Sequence, residues 1–142
     1  MKAISPHVEV IGVEAEASHP FTSSLAAGRI VEVEVGPTLA DGLAGNMDPE
    51  TITFDLVRKL VDRIVLVGEE QLAESIRGLI MHEHLITEGA GAAGVGAVLG
   101  GRVSVAGRRV VVLVTGSNID AAKLAEVLSA PPRPERPASE LA

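Results

Sequence analysis

The sequence predicts an α/β protein with an open, mostly parallel sheet and helices on both faces. Apolar runs rich in β-branched residues alternate along the chain with segments whose apolar residues recur at helical spacing. Aromatic residues make up only 1% of the sequence, so Val, Leu, Ile and Ala must fill the interior, as they do in parallel sheets covered by helices. A length of 142 residues corresponds to one domain with a core of its own.

Strands are predicted where β-forming apolar residues cluster. Residues 8–14 are β-branched and end in acidic and small residues, and residues 30–35 alternate apolar with acidic side chains, which is typical of a half-exposed strand. Residues 64–67 are a short buried strand, and residues 109–114 are the clearest candidate for a central strand. Four strands are therefore expected.

Five helices are predicted between and after these strands. Gly28 is a stop signal for the first helix, and Asp48 with Pro49 forms a cap and first-turn pair for the second. The predicted helical segments are residues 23–27, 49–61, 69–84, 90–100 and 120–130. We expect residues 1–130 to form the domain and the proline-rich residues 131–142 to be a disordered tail.

Composition excludes several classes of function. The net charge is −7 without a basic cluster, which argues against nucleic acid or an anionic membrane as a partner. The absence of cysteine excludes disulfides, thiolate metal sites and a thiol nucleophile. No apolar run approaches the roughly 20 residues of a membrane span, and the N-terminus lacks the apolar core of a signal peptide. We therefore expect a soluble, cytoplasmic protein.

A glycine-rich segment at residues 89–94 formally satisfies the GxGxxG pattern of dinucleotide-binding loops. That pattern needs a strand directly before it and an acidic residue about twenty positions later, whereas the next acidic residue after Glu88 is Asp120. Small residues also allow two elements to pack closely. The nucleotide-binding interpretation is therefore the weaker one.

Two loops are stronger candidates for a ligand site. Glu88 precedes a helix start, where a carboxylate either serves the helix dipole or faces a bound ligand, and the pattern leaves both interpretations open. Thr115, Gly116 and Asn118 directly follow the best strand, where open α/β sheets bind their ligands. The alternative is a turn in which Thr115, Ser117 or Asn118 caps the next helix. The position of these residues at the end of a strand favours the ligand-binding interpretation.

Metal sites are not predicted. His82 and His84 are two residues apart near a helix end, do not share a helix face, and are expected to be solvated. Glu14 and Glu16 could bind a cation through oxygen, but an exposed acidic edge is the simpler interpretation.

Six segments in order resemble the C-terminal half of the serine/threonine dehydratases, which are pyridoxal-phosphate enzymes of the tryptophan-synthase-β-like fold. The similarity runs from about Ile4 to Asp120. The segments are residues 10–14, 38–42, 56–62, 64–67 with Glu69 and Glu70, 86–92 and 114–120. Six ordered segments are more specific than any single motif.

The resemblance implies which residues contact the cofactor. Thr115 would hydrogen-bond the pyridine nitrogen, Glu88 would lie beside the ring, and Gly42, Gly116 and Asn118 would form the wall around it. These contacts are non-covalent, and no catalytic residue is predicted in this chain. Ser117 stands where a glycine is usual, which narrows the space beside the ring.

The resemblance also raises the question of a divalent-cation site, which some members of the family have and which we do not predict for this chain. Some members of the family bind the cation at a glutamate matching Glu14 together with a later acidic residue, and that later position falls on Pro20 here.

The family has a further half upstream that carries the Schiff-base lysine, a substrate-binding loop and a phosphate loop. Lys2, Lys59 and Lys123 lie outside the family's lysine motif. We therefore expect part of an enzyme that converts the amino-acid substrate L-threonine or L-serine to a 2-oxo acid and ammonia. We expect the chain alone to be inactive, and to associate with itself as a homo-oligomer or with a complementary N-terminal half. The alternative is a non-catalytic α/β module that serves oligomerisation or binds a small ligand.

Overall fold

A computed structural model describes residues 2–130, and within them five α-helices and one parallel pair of strands form the fold. The predicted disordered tail, residues 131–142, lies outside the described residues. No helix in the described part of the chain is long and apolar enough to cross a membrane. The elements in chain order are β1 (Ile11–Ala15), α1 (Pro20–Ala27), a 3-10 turn (Asp41–Leu43), α2 (Thr53–Leu60), β2 (Arg63–Val67), α3 (Glu69–Glu83), α4 (Gly89–Leu99) and α5 (Ala121–Ser129).

The two strands pair in parallel, so a long crossover connection must join them. Ile11 lies opposite Arg63 and Ala15 opposite Val67, and the crossover contains α1 and α2. Helix α4 packs across both strands and against α3. The predicted α/β class with parallel pairing is confirmed.

Helix α4 lies between the two parts of the hydrophobic core. Ala93 and Ala97 pack in one cluster of buried residues with Val67 and Leu72. Ala92, on another side of the same helix, packs in a second cluster. Because alanine and glycine side chains are so small, other elements approach the α4 backbone closely on several sides.

Two of the four predicted strands, residues 30–35 and 109–114, are wrong as hydrogen-bonded strands. In the described part of the chain neither segment pairs with a strand. The side-chain amide of Asn46 instead binds both the N–H and the carbonyl of Val33, at 2.8 and 3.0 Å. Val111 and Leu113 are 84% and 78% exposed. A β-forming sequence becomes a strand only when a neighbour supplies the ladder hydrogen bonds.

The second predicted helix begins later than its sequence signals indicate. Asp48 accepts the N–H of Glu50 through its side chain and that of Thr51 through its carbonyl, which forms a local turn. Short polar side chains of this kind compete with the helix for backbone groups. Helix α2 therefore begins at Thr53, and Asp48 does not cap it.

The other helices lie where the sequence predicts them. The first begins three residues earlier than expected, at Pro20, and Gly28 closes it with a left-handed φ of 71°. Helix α3 begins directly after Gly68 and ends at Glu83, and its C-cap residue His84 adopts a left-handed φ of 56°.

An ion-pair network connects separate segments of the chain at the edge of the sheet where the two strands begin. The Glu9 carboxylate binds Arg63 and Arg108, each at 2.8 Å. These guanidinium groups, Arg63 above all through its hydrogen bond, hold the pKa of Glu9 below its ordinary value. The network ties the segment before β1 to β2 and to the loop after α4.

Candidate cofactor site

The candidate site forms around the Glu88 carboxylate at the start of α4. Glu88 is the N-cap residue, but its side chain makes no capping bond to its own helix. It accepts the backbone N–H of Asn118 at 3.0 Å, while the Glu88 N–H donates to the Gly116 carbonyl at 3.2 Å. Two hydrogen bonds therefore attach the loop at residues 115–118 to the start of α4, and dipole capping alone does not describe Glu88.

Glycines lie on two sides of this carboxylate. Gly116 has a left-handed φ of 63°, and a Cβ atom there would overlap the Glu88 carboxylate. A Cβ on Gly42 would lie 3.5 Å from Glu88 Oε1 and 3.0 Å from the Cβ of Ala90. Bare backbone at both positions leaves room for the Glu88 carboxylate.

Thr115 completes the cluster with a free hydroxyl. The residue is exposed, and its hydroxyl makes no hydrogen bond to any residue that the structure describes. Its carbonyl packs against Gly91 in α4. The structure thus brings the five predicted residues together: Gly42, Thr115, Gly116 and Asn118 all lie around the start of α4, next to or near Glu88.

The glycine pattern at residues 89–94 is explained by close packing. Helix α4 already begins at Gly89, so these glycines lie within the helix, and no strand precedes them directly in the described chain. A Cβ on Gly89 would lie 2.8 Å from the Ala40 nitrogen, one on Gly91 2.6 Å from the Thr115 carbonyl carbon, and one on Gly94 2.9 Å from the Val112 side chain. The three glycines therefore admit two segments of chain, residues 39–40 and 112–116, to the helix surface, which accounts for the glycine pattern.

A cleft of about 400 Å³ opens beside Glu88 and Asn118. Sequence reasoning did not assign its other charged lining residues, Asp41, Asp120 and Lys123. Lys123 Nζ lies 3.5 Å from Asp41 Oδ2, which joins α5 to the 3-10 turn. Asp41 lies within residues 38–42, one of the six segments that resemble the dehydratases, and this position was the signal that could have identified it. No sequence pattern pointed to Lys123, because it lies far from Asp41 along the chain and the contact forms only in the folded structure.

The helix-capping alternative for residues 115–118 is wrong. Asp120 is the N-cap residue of α5, and no side chain of that loop bonds the helix start. The side chains of Thr115 and Asn118 therefore take no part in capping α5.

The expected exposed acidic edge is wrong for Glu14. Glu14 is only 7% exposed, and its carboxylate accepts the N–H of Phe21, the N–H of Thr22 and the Thr22 hydroxyl at 2.7 to 2.8 Å. It therefore satisfies free N–H groups in the first turn of α1. Glu16 is exposed and pairs with Arg102 at 3.0 Å. With three donors on Glu14 and no ligand atom in the side chain of Pro20, these residues do not fit a cation.

Comparison with known proteins identifies the family to which the chain belongs. The family model described as pyridoxal-phosphate dependent enzyme matches residues 1–116. The chain therefore belongs to the pyridoxal-phosphate-dependent enzymes, which confirms both the resemblance and the cofactor class.

Two individual relatives show which enzymes of this family the chain is similar to in sequence. The chain is 44% identical over 120 residues to an L-threonine ammonia-lyase of Thermotoga maritima, covering 84% of this chain and 29% of that protein. It is 36% identical over 129 residues to the catabolic L-threonine dehydratase TdcB of Escherichia coli K12, covering 89% of this chain and 39% of that protein. The chain thus spans well under half the length of these relatives.

Solved structures show the same fold. A threonine deaminase from T.th. superimposes with a TM-score of 0.71 at 38% identity, covering 84% of this chain and 43% of that one. The processed form of threonine deaminase isoform 2 from Solanum lycopersicum superimposes with a TM-score of 0.79 at 28% identity, covering 89% and 37%. These structures confirm the predicted tryptophan-synthase-β-like architecture.

Thr87, next to Glu88, should tolerate loss of its hydroxyl with a gain in stability. The residue is 3% exposed, and Oγ1 has no hydrogen-bond partner among the described residues. Thr87→Val removes this unpaired group and keeps the shape, so we expect the free energy of unfolding to rise by about 1 kcal/mol in urea denaturation. Thr22→Val is the matched control. Its hydroxyl binds Glu14, so that variant should lose stability. Destabilisation of both variants would show that the Thr87 hydroxyl has a partner.

Proposed function

We propose that this chain forms the cofactor-ring wall of a pyridoxal-phosphate-dependent ammonia-lyase that acts on L-threonine or L-serine. The single observation that carries the proposal is the arrangement of Gly42, Gly116 and Asn118 around the Glu88 carboxylate. The relatives named as threonine ammonia-lyases and dehydratases support the choice of reaction.

The residues present fit a flat heteroaromatic ring. Side chains at Gly42 and Gly116 would fill the space next to Glu88, so their absence suits a planar group. The Thr115 hydroxyl is exposed and unpaired among the described residues, and a neutral hydroxyl suits a pyridine nitrogen. Pyridoxal phosphate, when bound, supplies the electron sink that lets an amino acid lose its α-proton.

Each residue of the wall has a distinct proposed task. Thr115 orients the ring through its nitrogen and, being neutral, leaves that nitrogen without a full positive charge. This moderates the electron sink and favours elimination of the β-hydroxyl over transamination. Glu88, held by the Asn118 N–H, presents a carboxylate beside the ring. Gly116 and Asn118 fix that carboxylate in place.

We propose that residues 1–130 act as the C-terminal portion of the dehydratase domain and that the chain alone has little or no activity. Lys123, which lines the cleft, is paired with Asp41, and Lys2 is paired with Asp62. Val111 and Leu113 are exposed on a segment that lacks a neighbouring strand in the described residues. A complementary N-terminal half, or a further copy of the chain, would cover them.

The second candidate function is a non-catalytic α/β module for oligomerisation or small-ligand binding. The same two exposed side chains favour it, since self-association would bury them without any chemistry. The two candidates differ in whether the covering partner completes a cofactor site.

The deciding experiment is a pyridoxal-phosphate titration followed by absorbance and fluorescence. It compares the chain alone, the chain mixed with a separately expressed N-terminal half of a threonine dehydratase relative, and that mixture carrying Thr115→Val. We expect cofactor absorbance and threonine-dependent 2-oxobutanoate only in the unsubstituted mixture, with a weaker response from Thr115→Val. A colourless mixture, with the chain forming a stable folded oligomer alone, would overturn the catalytic proposal in favour of the module.

A further inference from the structure

Glu69 reaches from the start of α3 to the loop that carries Gly42. It is the first residue of the helix, and its Oε2 accepts the backbone N–H of Leu39 at 2.7 Å. The two residues are thirty positions apart in sequence. Glu69 belongs to a segment that resembles the dehydratases, but nothing in the site described above uses it.

The backbone that directly follows the Leu39 N–H forms the 3-10 turn. Ala40 is fully buried, and its carbonyl accepts the Leu43 N–H at 2.8 Å, which closes the turn around Gly42. The Leu39–Ala40 peptide, which is the next one along the chain after the N–H that Glu69 accepts, lies so close to Gly89 that a Cβ on Gly89 would overlap it. The turn is thus fixed between a carboxylate of α3 and the first residue of α4.

We propose that Glu69 is a positioning residue for the cofactor wall: by holding the Leu39 N–H it keeps Gly42 against the start of α4, beside Glu88. This inference rests on the proposed function of the site. A charged acceptor on a backbone N–H is among the stronger hydrogen bonds in proteins. The carboxylate also lies in the first turn of α3, where the helix dipole favours a negative charge, so two independent interactions hold it in place.

The test compares Glu69→Ala and Glu69→Gln with Glu70→Ala in the full chain. Glu70→Ala is a matched control because it also removes one negative charge from the first turn of α3. Hydrogen exchange at the Leu39 and Gly42 amides, read by NMR, reports the turn. Pyridoxal-phosphate affinity, measured in the mixture with the N-terminal half, reports the wall. Urea denaturation reports overall stability.

Glu69→Ala should speed Leu39 exchange about tenfold and weaken pyridoxal-phosphate binding by a comparable factor, as expected for loss of one charge-assisted hydrogen bond. Glu69→Gln retains an acceptor oxygen and should restore most of both properties. Glu70→Ala should leave both within about twofold, since the carboxylate that accepts the Leu39 N–H belongs to Glu69. Recovery in Glu69→Gln, with the control unchanged, separates positioning from a general loss of helix stability.

Unchanged Leu39 exchange in Glu69→Ala would overturn the inference. So would faster exchange with unchanged cofactor affinity, because the turn would then not belong to the wall. If the unsubstituted mixture binds no pyridoxal phosphate, the proposed function fails, and the cofactor role of Glu69 fails with it. Leu39 exchange would still decide separately whether Glu69 holds the turn.

Discussion

Gly91→Ala should destabilise the domain by at least about 3 kcal/mol, the upper range for overpacking a tightly filled interior. The new Cβ would overlap the carbonyl oxygen of Thr115 and lie 3.3 Å from that of Gly116. These are backbone atoms, which cannot move aside by changing a rotamer. The loop must therefore leave α4, or the helix must shift and disturb both core clusters. Urea denaturation followed by circular dichroism measures the loss.

Gly78→Ala is the matched control for this substitution. Gly78 lies inside α3, and a Cβ there would meet nothing within 4 Å. Because glycine is a poor helix former, this variant should gain about 0.5–1 kcal/mol of stability. The same chemical change is thus expected to have opposite signs on two helices. Equal effects of the two variants would contradict the close approach of residues 115–116 to α4.

Gly116→Ala should abolish the proposed cofactor wall while leaving most of the fold intact. Its φ of 63° costs an alanine about 1–2 kcal/mol. The Cβ would also overlap the Glu88 carboxylate, which must then leave the Asn118 N–H. We expect pyridoxal-phosphate affinity in the mixture with the N-terminal half to fall at least about tenfold, since the wall loses its charge-assisted hydrogen bond.

Gly107→Ala tests the effect of the backbone strain alone, without the overlap between a new Cβ and the Glu88 carboxylate. Gly107 has a similar φ of 68°, but a Cβ there would meet nothing within 4 Å. Both variants should lose similar stability from strain, and only Gly116→Ala should lose cofactor affinity. A cofactor affinity that stays the same in Gly116→Ala would remove Glu88 from the proposed site.

Local signals predicted the helices well because capping and stop residues act within one turn. Gly28 and Gly68 lie where the sequence places them, at a helix end and a helix start. The wrong start predicted for the second helix, at Pro49, also has a local cause. The turn at Asp48 competes with the helix for the same backbone groups and forms in its place. The strand predictions at residues 30–35 and 109–114 failed for a different reason. Their residues favour β-structure, but no neighbouring strand pairs with them in the described part of the chain.

The sequence by itself determined the α/β class, the family resemblance and the identity of the five candidate site residues. Each of these depends on residue types and on their order along the chain. The tertiary structure decided what those residues do to one another. Glu88 does not cap its own helix but holds the Asn118 N–H, Glu14 caps α1 from a buried position, and Glu69 holds the Leu39 N–H. Such contacts join residues up to thirty positions apart, so only the folded packing around α4 brings them within hydrogen-bonding distance.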